Sequence, residues 1–504
     1  MTPHCTFPKS FWSDPLSMSS LPANPMAKLR RPAQRLGVLA LPLLMSACAA
    51  LKGPGALTTP STTRVPIPTE WQTPLPHNGQ TGDLRQWWQN LGDPLLVDLI
   101  SAAQTASPTL ASALSRINQA RAAQAANAAA LKPALDASLG ASRGLTQPAT
   151  PVASLLQGGL QAGWEIDLFG ANRLALNAAS ERLGSAEAQW HDARVSVAAE
   201  VANQYIGLRS CDLQLALVSA DAASRAETAR LSGLTTKAGF TAPALDALAR
   251  ASAADAANRV EQQRALCEVG IKSMVALTDW PQSVLKQKLA LVTPAFTATF
   301  SVPSVPAEAL SQRPDLQSAQ RDIAAASADL GATEAQRYPR LSLSGSVGAL
   351  SYSAGGLSSD LTTWSIGPLA LSIPLFDGGR RAANVEAAQA RYIEAEALYR
   401  ARARQAVREV EESLVNLQSV ALRADNTQLA AEGYRASFAA TQARFGAGLA
   451  SLPELEESRR TALGADSALL TLQRDRMLAW VALYRAVGGG WRAGDPAFTR
   501  PLAH

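Results

Sequence analysis

Few side chains in this sequence are spaced for chemistry. Gly140–Gly144 reads GASRG, the spacing of a hydrolase nucleophile elbow, in which a serine on a strand-to-helix turn needs histidine and acid partners. The stretch falls inside a strand-like alternation, and the four histidines, His4, His77, His191 and His504, are scattered. No enzyme is expected. There is no metal-ligand cluster, no phosphate-cradling glycine loop and no basic–aromatic patch, so neither a cofactor nor a nucleic-acid partner is expected. Two cysteines carry more. Cys211 and Cys267 lie 28 residues to either side of Gly239. In an antiparallel hairpin turning there they stand at one height, and an oxidising compartment lets a disulfide persist. The open alternative is two buried thiols facing different neighbours.

Cys48 points to that compartment. MAKLRRPAQR from Met26 is a basic opening, and LGVLALPLLM (Leu36 to Met45) is an apolar run of ten. That run is too short to span a bilayer and has the form of a secretory signal. LMSAC resembles a lipobox, whose cysteine is acylated and becomes the mature N-terminus. Met45 stands where leucine is usual. Ala49 after the cysteine resembles bacterial lipoproteins sent to the outer membrane. Residues 1–47 are read as the signal, with the true start at Met26 or Met18. Lys9, Lys28, Arg30, Arg31 and Arg35 lie in it against Asp14, so of the formal +5 only +1 remains beyond it. Residues 48–83, rich in Pro, Thr and Gly, read as a lipidated flexible tether. No later stretch reaches 18 apolar residues, so a membrane location requires β-strands or the lipid.

Beyond the tether the sequence says the same thing twice. Pro108 and Pro314 each open a run of 25 residues to the next proline, Pro133 and Pro339, at an offset of 206. Both sit where a first helical turn tolerates proline. WEIDLF ends at Phe169 and LSIPLF at Phe376, offset 207; Trp280 and Trp491 close the copies, offset 211. Near-constant spacing over this length marks a tandem duplication. The copies are 84–280 and 313–491, with strands about 134–169 and 340–376 and tips near 239 and 448. Residues 281–312 read as an equatorial linker and 492–504 as a tail.

Period-two alternation marks the strands. Leu160, Ala162, Trp164, Ile166 and Leu168 form an apolar face against Gln161, Glu165 and Asp167; Leu341, Leu343 and Val347 oppose Ser342, Ser344 and Ser346. The polar residues are lumen-facing candidates, with Glu165 and Asp167 as solvated groups of the lumen or lower rim. Strands of about ten residues can cross a bilayer when tilted. Four strands, expected as two separate pairs, cannot close a barrel, so they must pool with other copies: eight strands from two, twelve from three.

Asn172 to Lys237 and Arg380 to Arg444 read as helices of about 100 Å at 1.5 Å per residue. Positions from Val385 to Ala424 step by about 3.5, as in a coiled-coil seam. The 25-residue helices, stacked on the arms near Pro243–Thr278 and Pro453–Val487, match that length. Gly170, Gly378 and Gly379 turn strand into helix.

LSQRPDLQSAQRDIAAASADLGATEAQRYPRLSLSG, SIPLFDGGRRA, RFGAGLASLPELEESRR and LYRAVGGGW resemble the TolC-like outer-membrane efflux proteins. The lipidated start and QWWQNLGDPLLVDLI (Gln86–Ile100) resemble the NodT/OprM-type channel lipoproteins among them. The resemblance runs from about Trp87 to Trp491. It implies a mainly α chain with four transmembrane strands, and a homotrimer forming a twelve-stranded barrel and a twelve-helix periplasmic tunnel. It implies docking to a periplasmic adaptor and an inner-membrane pump, often of the resistance–nodulation–division class. Gly239, Phe240, Gly446, Gly448 and Leu449 would then be docking tips; a helix-ending turn is required there in any case. The expected function is a passive outer-membrane exit duct for drugs or other small toxic compounds. Export of proteins or peptides is a variant, and a pore-free structural coiled-coil lipoprotein is the rival.

Overall fold

A computed structural model describes residues 68–75, 84, 87–145, 151–291, 310–492 and 494–495. The expected signal, Cys48 and most of the expected tether and tail lie outside them. Two short helices come first, α1 (Trp87–Asn90) and α2 (Pro94–Ala106). The Asp93 carboxylate starts α2 by accepting the Leu95 and Leu96 amides at 3.1 and 3.3 Å, a standard use of an N-cap side chain. Then one series of elements occurs twice. The first is α3 (Pro108–Ala129), β1 (Ala134–Gly144), β2 (Ala153–Ile166), α4 (Ala171–Lys237) and α5 (Pro243–Thr278). After α6 (Gln282–Leu291) the second is α7 (Pro314–Ala335), β3 (Arg340–Ala354), β4 (Leu357–Ser372), α8 (Arg380–Gly446) and α9 (Leu452–Ala486). The fold is mainly helical with four antiparallel strands. Among the described residues no helix is long and apolar enough to cross a membrane.

The long helices α4 and α8 have 67 residues each. Gly184 and Gly207 are absorbed within α4, at about 1 kcal/mol each relative to alanine. Toward the strands α4 packs on α3 and α7; farther along it packs on α5 and α9, while α8 packs on α7 and α9. Stacking of 22 on 36 residues beside the 67 of α4 gives the length matching expected. The seam on α8 holds from Val385 to Leu417, where Ala403, Ala406, Val410 and Leu414 are buried. Beyond it burial moves to Val420, and Ala421 is exposed, because 3.6 residues per turn drifts from a 3.5 repeat.

The strands form one sheet in the order β1-β2-β3-β4, not two separate hairpins. β2 pairs with β3 from Ala153↔Ala354 to Ile166↔Leu341. Glycine is required at this junction: a Cβ on Gly159 would meet the Val347 carbonyl oxygen at 2.9 Å, and one on Gly348 the Gly158 oxygen at 3.1 Å. Pairing stops at Ile166 and Ser372, short of the expected Phe169 and Phe376. Leu168, Leu375 and Phe376 lie past the sheet, exposed. Gly140–Gly144 runs inside β1, paired with Gln157 to Ala153, so it makes no nucleophile elbow.

The main core lies where α1, α2 and α6 pack on the middle of the long helices. Trp87, Leu99, Tyr205, Met274, Leu285 and Leu483 are fully buried there. Trp87 stacks on Tyr484 at 4.9 Å. The stretch expected as a linker, 281–312, thus contains a helix, because Leu285 and Leu289, four apart on one face, enter this core. The described residues all belong to one unit, 54–504.

Candidate functional site

Register brings the expected polar wall together. Gln161 stands opposite Ser346, Gly163 opposite Ser344, and Glu165 opposite Ser342. Directly opposed residues of a ladder share a face, so Gln161, Glu165, Ser342, Ser344 and Ser346 line one side. Ser346 and Ser365 extend it through a 2.9 Å hydroxyl contact. The other side carries Leu160↔Val347↔Trp364, Trp164↔Leu343↔Leu369 and Ile166↔Leu341↔Leu371. Trp364, Leu369 and Leu371 on that face are exposed.

Asp167 does not belong to the free wall. Its carboxylate accepts the Asn172 and Arg173 amides at 3.2 and 2.9 Å and lies 3.3 Å from the Arg173 guanidinium. The start of α4 explains this. Its N-cap is Gly170 in the left-handed region (φ 79°), which has no side chain to satisfy the first amides. Asp167 supplies the missing oxygens from upstream. The second copy solves the same problem: α8 starts at Gly379 (φ 88°), and Asp377 accepts the Gly379 and Arg381 amides at 3.1 and 3.2 Å and the Arg381 guanidinium at 2.9 Å. The sequence reading placed the turn on Gly170, Gly378 and Gly379 but missed the aspartates. Each is followed by an arginine within six residues, a signal that was available.

The two tips have one geometry. Gly239 (φ 80°) and Gly448 (φ 76°) are left-handed. The Gly239 and Phe240 amides donate to the Thr236 and Thr235 carbonyls; the Gly448 and Leu449 amides donate to those of Phe445 and Arg444. This is the paired bonding of a glycine-terminated helix. The residue after the glycine usually folds back on its helix. Here it does not: Phe240 is 87% exposed and Leu449 70%. Gly446 is the last residue of α8.

Cys211 and Cys267 are joined as a disulfide, Cα–Cα 5.6 Å, between α4 and α5. Nearer the tips a buried ionic cluster links the two hairpins. Arg225 of α4 holds Asp221 at 2.9 Å and reaches Glu456 of α9. Glu456 also accepts Ser252 at 2.8 Å and Arg459 at 2.6 Å, and Arg459 donates to Thr228 at 3.0 Å. Burial pushes the Arg459 guanidinium below its ordinary range, and the Arg225 charge adds to that. The local pairs, four and three residues apart, are legible in the sequence; the cross-hairpin contact is not. In the core the Tyr205 hydroxyl donates to Asp93 at 2.6 Å, and Arg209 donates to the Tyr205 oxygen at 3.0 Å and the Leu289 carbonyl at 2.7 Å. Burial first, and then the bond to Asp93, raises Tyr205 far above the usual phenol range, so it stays a donor. These contacts are structural. Among the described residues no cluster of three His, Cys, Asp or Glu could hold a metal ion.

The arrangement is a two-faced sheet at one end and, at the other, two glycine-ended turns that each expose an apolar side chain. A family model described as outer membrane efflux protein matches residues 99–274 and 305–489. The chain is 27% identical over 486 residues to the pyoverdine export outer membrane protein OpmQ of Pseudomonas aeruginosa, covering 91% of this chain and 98% of that protein. It is 29% identical over 443 residues to the solvent efflux pump outer membrane protein SrpC of Pseudomonas putida, covering 84% and 93%. Its fold is that of the Campylobacter jejuni CmeC outer membrane channel, with TM-score 0.75, 24% identity, and 83% and 90% of the two chains covered.

Proposed function

Because the chain belongs to the outer membrane efflux protein family and is an outer membrane channel of an efflux pump, we propose that three copies build one passive duct for drugs or other small toxic compounds. One observation supports assembly from more than one copy. The sheet has two free edges within the chain, β1 and β4. In lipid an open edge leaves backbone donors and acceptors without partners, which only closure removes. Two copies would give eight strands, an interior filled by its own side chains. Three give twelve and leave a lumen, which the face bearing Gln161, Glu165 and Ser342 to Ser346 would line. Strands of 11 to 16 residues suffice to cross when tilted.

The tips are where a periplasmic adaptor would dock, linking the duct to an inner-membrane pump of the resistance–nodulation–division class. Support comes from apolar side chains held outward on two rigid, glycine-ended turns. Cys48 would be acylated and anchor the N-terminus in the outer membrane. Cargo choice would rest with the pump.

Single-channel recording in planar bilayers tests the duct: trimeric protein should conduct steadily, and a pore-free strut would not. Gly448→Arg should abolish efflux in cells while leaving assembly and conductance intact; retained efflux removes the docking role. Mass spectrometry of the mature N-terminus should find an acylated Cys48.

A further inference from the structure

A groove of about 300 Å³ lies between α4 and α9, on the side of α4 that also meets α6 through Arg209 and the Leu289 carbonyl. Ile206, Leu213, Leu470 and Met477 make its walls apolar, and Arg209 and Arg476 make it basic. Arg209 is only 6% exposed, and its polar contacts are to neutral oxygens of Tyr205 and Leu289. Its Nη2 is buried with no acceptor. A buried guanidinium is ordinarily paired with an acid; among the described residues this one is not. Arg476 is exposed at the groove, with no carboxylate paired to it among the described residues.

The neighbouring charges offset this excess only in part. Arg474 is neutralised by Asp475 at 2.9 Å. Asp93 meets Arg209 only through the Tyr205 hydroxyl. Asp212, three residues on, has its carboxyl raised by burial, with Arg209 pulling the other way. The groove therefore presents positive charge over an apolar floor. Arg476 can meet an anion directly, and Arg209 acts from beneath, where low dielectric strengthens its field.

We propose that this groove binds small amphiphilic anions: a carboxylate or sulfate head at Arg476 above Arg209, and an apolar chain of about ten carbons along the Ile206, Leu213, Leu470 and Met477 walls. The site lies outside the barrel strands and does not depend on the duct reading.

The test uses the full mature chain in phosphatidylcholine nanodiscs and radiolabelled decanoate, with empty nanodiscs subtracted. Saturable binding of one decanoate per chain is expected. Arg476→Gln should weaken it at least tenfold, and decyl sulfate should compete while decanol and decyltrimethylammonium do not. Among the described residues the Arg476 side chain has no hydrogen bond or ion pair, so this variant tests the site without the risk attached to Arg209. Arg116→Gln, an exposed arginine elsewhere, should change nothing. Absence of saturable binding, as when a second copy seals the groove, overturns the proposal. So does equal competition by decanol, or unchanged affinity in Arg476→Gln.

Discussion

The first hairpin is closed by a covalent bond 28 residues either side of its tip glycine. The second has Val420 and Arg476 at those distances from Gly448. The halves differ again where the return helices end. α5 is capped by Asp279 in the left-handed region (φ 57°), whereas α9 is capped by Val487 and the left-handed residue is Gly488 behind it (φ 86°). Yet strand-to-helix turns, tips and helix lengths coincide. Backbone geometry is what the two copies share: a left-handed N-cap with an upstream aspartate, and a glycine-terminated tip. The side-chain fastenings differ freely, because many chemistries can hold two packed helices together, whereas few can reverse a chain in one residue.

The helix ends should respond most strongly to substitution. A Cβ on Gly488 would meet the Gln312 carbonyl oxygen at 2.3 Å. Gly488→Ala should cost about 4 kcal/mol or more, read as loss of protease-resistant protein. Asp279→Gly, the reciprocal change, should instead gain about 1 kcal/mol by relieving a left-handed non-glycine residue. If both are neutral, the two ends are not under the constraint described.

Next is the link between halves. Glu456→Gln leaves Arg225 and Arg459 buried with Asp221 as their remaining nearby carboxylate. Losing one partner of a buried cluster should cost about 3–5 kcal/mol, measured as a lowered denaturant midpoint. Glu227→Gln, in an exposed pair with Arg230, should leave the midpoint unmoved.

Removing the staple by Cys211→Ser with Cys267→Ser should cost about 2–4 kcal/mol. Reductant should lower the wild-type midpoint to that of the variant and leave the variant unchanged. Smallest are the caps. Asp167→Ala and Asp377→Ala should each cost about 1 kcal/mol, and by similar amounts. A large difference between them would mean that the two junctions are not equivalent.

Much of this was legible in the residues. The prolines at 108 and 314, the glycines at 239 and 448, and the alternation through Trp164 and Leu343 each carry a local steric or solvation rule, so they located the helices, tips and strand faces. Contacts between distant segments were not legible. Nothing local announces that β2 pairs with β3, which turned two expected hairpins into one sheet. Nor does it announce that Glu456 meets Arg225. Asp167 was misplaced because alternation was carried one residue past Ile166, where the chain had already left the sheet. α6 was missed because a ten-residue helix offers only two buried leucines.

The central claim is that one chain is an unclosed wall with free edges at β1 and β4. Native mass measurement of the purified mature chain in mild detergent tests it most directly. A single species with the mass of three chains is expected. A stable, folded, solitary chain under those conditions would contradict it.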